Sequence, residues 1–323
     1  MNSLTPPDEP VDIFVHISRS AGSTVRSIVS REYGVERVLY FEQGSRSWTA
    51  HHDGGVPLAD QVREKGARFI TGHHPFGLHE LIDRPTRYFA AIREPVTRLM
   101  SHHTAVLAQP RNRFHRRMVA EAPTIEEFFA NPDLAPGHHL ATMLAGTRAG
   151  GADVVEAAIE NMRHRFAVVM LAERFDESLL LLARDLGWRV PLYRIRNVTP
   201  TSVVRVSKLD AVADEFRETY RDRFAPDLAV YAEAERLLDA RVAEGGPALT
   251  AAVAAMEEMT EAINILDPHG VFEGYAFRRN DVLPEGAAKL IGSEPYRAVE
   301  AFLADRPVTA SAGSPDRSSP TGR

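Results

Sequence analysis

Arg19, Ser20, Ser23 and Thr24 place one fixed cation and three hydroxyl donors in the short run Ser18-Arg19-Ser20-Ala21-Gly22-Ser23-Thr24. No acid interrupts it. The run follows residues 11–17 (VDIFVHI), apolar enough for a strand, and opens a helical pattern over residues 24–33. A strand that breaks into small residues and then a helix leaves unpaired backbone N–H groups beside the positive end of a helix dipole. The chemistry this favours is the grip of a phosphate or sulfate. Ala21 contributes backbone alone, and Gly22 lets the chain pass close to such an anion.

A second cation stands at the end of another strand pattern, residues 87–92 (RYFAAI), which runs into Arg93-Glu94-Pro95-Val96-Thr97-Arg98-Leu99-Met100-Ser101. Pro95 suits the first turn of a helix and holds Glu94 off helical geometry. Arg93 is therefore expected at a strand tip, with Ser101 about two turns into the next helix. Ligands of open α/β sheets gather at such carboxyl-terminal tips. Arg98 reads as a solvated helix arginine outside the site. The plain structural reading of Arg93 is an ion pair with Glu94 or Asp83. For proton transfer near neutral pH the first candidate is His73, after Gly72 at the end of a strand pattern over residues 67–71. His74 comes second, restricted by Pro75, and His102 and His103 stand next to Ser101. A structural imidazole bonded to a nearby carbonyl is the competing reading of His73.

The first run resembles the 5′-phosphosulfate-binding loop of sulfotransferases that use 3′-phosphoadenosine 5′-phosphosulfate (PAPS), Ile-Pro-Lys-Thr-Gly/Ala-Gly-Thr-Ser, here beginning at Ile17. The second resembles that family's 3′-phosphate element, Arg-Asp-Pro-x-x-Arg-x-x-Ser. Thr71-Gly72-His73-His74-Pro75-Phe76-Gly77 is similar to the Gly-His segment of the carbohydrate-acting, family 2-like branch. Looser matches occur at residues 172–179 and at Arg196-Asn197-Val198-Thr199, and the resemblance covers roughly residues 11–242. It implies an α/β fold, a P-loop-like layered parallel sheet flanked by helices. It implies PAPS as co-substrate without a metal, and an acceptor hydroxyl on a carbohydrate, glycolipid or small natural product. Carried over residue by residue, Arg19, Ser20, Ala21, Gly22, Ser23, Thr24, Arg93 and Ser101 hold the donor, while Arg19 and His73 serve catalysis. Arg19 replaces the family's lysine. Arginine keeps the charge but does not release its proton, so its contribution there is electrostatic.

Three alternatives are weighed against this. A P-loop-type kinase needs Gly-x-x-x-x-Gly-Lys-[Ser/Thr] and an acid for Mg²⁺ at a strand end. The loop lacks that lysine and glycine spacing, and Arg93 occupies the strand end. A zinc protein is suggested by thirteen histidines, several in adjacent pairs, but neighbours in sequence point apart and no His-Glu-x-x-His occurs. A non-catalytic nucleotide-binding module stays open because of Arg19.

The elements that must position these groups alternate. Strand patterns at 11–17, 35–41, 67–71, 87–92 and 166–171 are separated by helical patterns at 24–33, 58–65, 95–108, 154–163 and 173–186. Such alternation predicts a parallel sheet, and Gly187 is placed as a C-cap. Residues 41–56, with Trp48 and His51-His52, read as acceptor-pocket lining or as a surface loop. Beyond residue 208 the pattern is helical: 208–220, 228–243, a break at Gly245-Gly246-Pro247, then 248–266 and 294–304. The expected organisation is a disordered start (1–9), an α/β domain (10–245), a helical extension of unassigned role (246–306) and a disordered tail (307–323).

A net charge of −6 argues against a general nucleic-acid role. The absence of cysteine removes disulfides and thiolate chemistry. Met1–Pro10 has no apolar core of a signal peptide, and no run reaches the ~20 apolar residues of a membrane helix. A cytoplasmic, non-membrane-spanning protein is expected.

Overall fold

Apolar runs buried on both faces belong in the middle of parallel sheets, and every residue of 11–16 is buried. The computed structural model describes residues 9–146, 152–194, 212–266 and 286–305. In chain order the elements are β1 (Val11–His16), α1 (Gly22–Tyr33), β2 (Val38–Tyr40), α2 (Arg46–His52), α3 (Leu58–Lys65), β3 (Phe69–Gly72), β4 (Thr86–Ile92) and α4 (Pro95–Leu107). There follow α5 (His115–Glu121), α6 (Ile125–Ala130), α7 (His139–Ala145), α8 (Ala152–His164), β5 (Phe166–Leu171) and α9 (Phe175–Leu186). The helices α10 (212–219), α11 (Arg221–Leu266) and α12 (Glu294–Ala304) complete the described chain. The five strands form one all-parallel sheet of order β2-β3-β1-β4-β5, flanked by helices, with a helical C-terminal region.

This order puts the reversal of winding between β1 and β4. From β1 the chain moves outward to β2, and after β3 it crosses β1 to reach β4. Loops leaving two such neighbours diverge and open a crevice at their carboxyl ends. The register aligns those ends: Val15 pairs with Gly72, His16 with Ala91 and Ile92 with Leu171.

One buried cluster holds the sheet together with α11 on both sides of Gly246 (Leu238, Leu249, Met256) and with Val299 and Phe302 of α12. A second lies among Val96, Leu99, Phe128, Phe129, Phe216 and Phe224. Below the site, the buried Asp12 carboxylate takes two bonds from Arg87, at 2.7 and 2.9 Å, and one from Tyr33. This satisfies a charge that could not otherwise sit inside a sheet.

Several expectations need correction. Residues 35–37 form a 3-10 turn, so β2 is three residues long. Residues 46–52 are a helix capped by Ser45, and α5, α6 and α7 fill a stretch in which no element was expected. The break expected at Gly245-Gly246-Pro247 is present: α11 departs from helical geometry at Gly246 (φ 52°, ψ −149°). Gly187 does end α9 in the left-handed region, at φ 73°. Residues 195–211, which hold Arg196-Asn197-Val198-Thr199, and most of both expected disordered termini lie outside the described residues.

Candidate functional site

The loop after β1 is held in backbone geometry that side-chain-bearing residues rarely adopt. Arg19 has φ 68° and Ala21 φ 59°; each such residue costs about 1–2 kcal/mol and collects at functional sites. Ala21 is the N-cap of α1 and supplies no side-chain cap, though its carbonyl accepts from Thr24 N–H at 3.0 Å. Ser20 is fully buried, and its Oγ has no partner among the described residues. Thr24 is buried and Ser23 exposed. Gly22 has a packing requirement besides the one read from sequence: a Cβ there would lie 1.9 Å from Nε2 of the buried His16 ring.

Arg19 turns back toward α4, and its Nε donates to Ser101 Oγ at 3.1 Å. The loop after β1 and the second turn of α4 therefore meet. Glu94 adopts the non-helical geometry expected before Pro95 (φ −49°, ψ 128°) and caps α4, its Oε2 accepting from Thr97 N–H at 2.8 Å. Arg93 emerges at the tip of β4. Among the described residues its ion-pair partner is neither Glu94 nor Asp83 but Glu173, just past the tip of β5, at 3.9 Å from Nε. Glu173 Oε1 also accepts from Glu94 N–H at 3.0 Å, and its Oε2 from Tyr231 OH at 3.1 Å. One carboxylate thus ties β4 and α11 to the tip of β5.

Arg98 corrects a sequence reading. It is 3% exposed rather than solvated, and its Nε has no partner among the described residues. Burial pulls its pKa down, while Asp227 of α11 opposes that shift. Asp227 is itself buried and accepts from Ala141 N–H at 3.0 Å, capping the start of α7.

The histidines separate by their partners. His73 is exposed at the tip of β3. Its Nδ1 lies 2.7 Å from the His16 carbonyl, so Nδ1 carries the hydrogen and Nε2 is left as the basic nitrogen. Its ring stacks on that of His16 at 4.3 Å, and its backbone N–H reaches Glu42 Oε2 at 3.4 Å. The carbonyl bond foreseen as a purely structural role is present, and it also fixes the orientation of the ring. His74 is 1% exposed and burial holds its pKa down at about 4, which removes it as an exposed base. His103 is buried and bonds the Ala122 carbonyl at 2.9 Å, away from the rim. Burial, then Arg98 and Arg19, lower His102 to about 4. Burial, then Arg98, His102 and His73, lower His139 to about 3. His139, at the head of α7, went unnoticed in sequence beyond its place in a His-His pair.

Arg19, Arg93 and His73 thus leave three adjacent strands, β1, β4 and β3, at one edge, with Arg98 and two neutral imidazoles behind them. The arrangement can hold an extended polyanion, stabilise charge developing near Arg19, and accept a proton at His73 Nε2. Among the described residues no group of three or more His, Asp or Glu side chains is placed to hold a metal ion, and no helix is long and apolar enough to cross a membrane.

A family model described as Galactose-3-O-sulfotransferase matches residues 5–266, which carries the similarity beyond residue 242 into the second half of α11. Galactose-3-O-sulfotransferase 2 of Homo sapiens is 29% identical over 263 residues, covering 73% of this chain. The chain spans only 62% of that relative's length.

Proposed function

The chain belongs to the galactose-3-O-sulfotransferase family, and from that premise we propose that it transfers a sulfuryl group from PAPS to a hydroxyl of a carbohydrate acceptor. The observation that carries this reading is the level register of β3, β1 and β4, three adjacent strands whose carboxyl ends are followed by His73, Arg19 and Arg93. A nucleotide with phosphates at both ends of its ribose needs two separated cationic grips, and the β1 and β4 tips supply them.

The residues present suit such a donor. The orphaned Ser20 hydroxyl, the strained loop and the uncapped start of α1 suit the 5′ end, with Ser23 and Thr24 adding hydroxyls. Arg93 and Ser101 suit the 3′-phosphate, Arg93 by a two-pronged contact. The donor supplies an activated sulfuryl group whose leaving group is adenosine 3′,5′-bisphosphate. Arg19 supplies the fixed charge that meets the negative charge growing on the leaving oxygen. His73 Nε2 takes the acceptor hydroxyl's proton, and the His16 carbonyl keeps the resulting imidazolium aligned.

The test is direct. Micromolar adenosine 3′,5′-bisphosphate is expected to raise the melting temperature by mass action, and Arg93→Ala to remove most of that rise. His73→Ala is expected to keep the rise and abolish transfer of labelled sulfuryl to a galactose-terminated oligosaccharide. Absence of any rise, or a larger one with ATP and Mg²⁺, would overturn the reading.

A further inference from the structure

From Glu94 to Glu121 the chain carries no carboxylate. Residues 95–120 hold five arginines (98, 111, 113, 116, 117) and three histidines (102, 103, 115), in a protein of net charge −6. A run of like charge this long is repulsive unless something opposite lies against it. Arg98 is accounted for inside the crevice. The other four arginines are exposed, on α5 and the loop before it. Among the described residues only Arg117 of these four has a carboxylate partner, Glu121 at 2.9 Å. Arg113 lies over the Phe114 ring at 4.6 Å, and Phe114 is 39% exposed.

A ring contact links this surface to the helix that carries Ser101. The Phe114 ring stands 6.3 Å from that of His102, and His102 follows Ser101, the residue bonded to Arg19. The chain of contacts from Arg19 through Ser101 and His102 to Phe114 is the route by which a molecule held at the strand tips would reach the arginines. The cations are all arginine, whose planar fork matches carboxylate and sulfate groups in a way that lysine does not. Phe114 offers an apolar face between them, as the C–H face of a sugar ring requires.

We propose that the α5 surface, through Arg111, Arg113, Phe114 and Arg116, is an extension of the acceptor site that binds an acidic glycan, one bearing carboxylate or sulfate on sugars set back from the hydroxyl that is modified. This rests on the transfer reading given above for the acceptor's reactive end. The surface itself is charge recognition and does not depend on turnover.

The experiment compares two galactose-terminated oligosaccharides of equal length, one neutral and one with a uronic acid at an internal sugar. In low salt the acidic acceptor is expected to show a KM roughly five- to tenfold lower, the scale of two exposed charge contacts. The advantage should collapse near 0.5 M salt, where screening is short-ranged. The double variant Arg113→Glu, Arg116→Glu should erase it, with the bisphosphate-induced rise in melting temperature checking that the variant is folded. Equal KM values, or an advantage that survives the double variant, overturn the proposal. A parallel titration with an acidic oligosaccharide lacking galactose separates the two readings. Salt-sensitive binding lost in the variant, with neither acceptor turned over, sinks the transfer reading and supports the surface. No binding while both acceptors turn over sinks the surface. Tighter binding of duplex DNA, or of phosphatidylserine vesicles, than of the acidic oligosaccharide also overturns it and reassigns the patch to that class.

Discussion

Arg19 Nε and Ser101 Oγ are joined at 3.1 Å, so the two segments proposed to hold the donor are connected to each other. The residue at the lysine position is thereby held toward α4 by a hydroxyl expected to serve the far end of the same nucleotide. A guanidinium can make this bond with Nε and keep its two terminal nitrogens for other acceptors, which a lysine ammonium does less readily.

Arg19→Ala is therefore expected to lower kcat by roughly 10²–10³, the cost of removing one preorganised charge from a transition state. Arg19→Lys should recover part of that loss, since the charge returns without the fork. Ser101→Ala should weaken bisphosphate binding roughly tenfold, as loss of a hydrogen bond to a charged group does. Steady-state kinetics and calorimetric titration separate the two effects; an unchanged kcat in Arg19→Ala would remove Arg19 from the chemistry.

Ala21 sits at φ 59°, where glycine carries no steric penalty. Ala21→Gly is expected to leave stability unchanged or to raise it by up to about 1 kcal/mol, because relief of backbone strain offsets the extra freedom of the unfolded chain. Ala21→Val should lower it by more than about 1 kcal/mol. Urea unfolding measures both, and a clear loss in Ala21→Gly would show that the loop is not strained.

Much of this frame is legible in sequence because its signals are local. Strands β1, β3, β4 and β5 announce themselves as apolar runs, since a strand buried on both faces has no polar alternation to obscure it. Pro95 and Glu94 fix the start of α4 by sterics alone. Residues 35–37 deceive because Val35 suggests extension while Gly34 and the chain's need to turn favour a 3-10 turn. Helices α5 to α7 have six or seven residues each, too few for an apolar period to repeat. Arg98 is misjudged because what buries it comes from distant sequence: Asp227, more than a hundred residues later, faces it. His139 carries no local signal, since its place beside Arg98 and His102 depends on the same distant helix capping α7.

Glu173 shares its charge with Arg93 at 3.9 Å while accepting from Glu94 N–H and Tyr231 OH. Glu173→Gln keeps an acceptor for Glu94 N–H, offers its amide N–H to the Tyr231 oxygen, and removes the charge that competes with a phosphate. It should tighten bisphosphate binding roughly three- to tenfold, with the gain shrinking in high salt. Weaker binding in Glu173→Gln would mean that the carboxylate's main effect is to aim Arg93.

Stability is expected to fall below neutral pH. His74 is buried with its pKa lowered to about 4, below its ordinary value of 6.5. The unfolded chain therefore takes up a proton that the folded chain refuses. Its contribution is complete above pH 6.5, declines by about 1.4 kcal/mol per pH unit below that, and levels off near pH 4. His102 and His139 act in the same direction. Urea midpoints measured from pH 7.5 to 4.5 should slope downward, less steeply in His74→Asn, which keeps a donor for the Pro75 carbonyl. A flat profile would contradict the buried, neutral state of these rings.

The absent side chain of Gly22 seats the ring of His16, and that ring is the shelf on which His73 lies. Positions 16 and 22 are consequently one choice rather than two. A methyl group at 22 demands a smaller residue at 16, and a smaller residue at 16 withdraws support from the His73 ring. Across relatives of this chain, bulk at one position should trade against bulk at the other, a correlation that aligned sequences alone would expose.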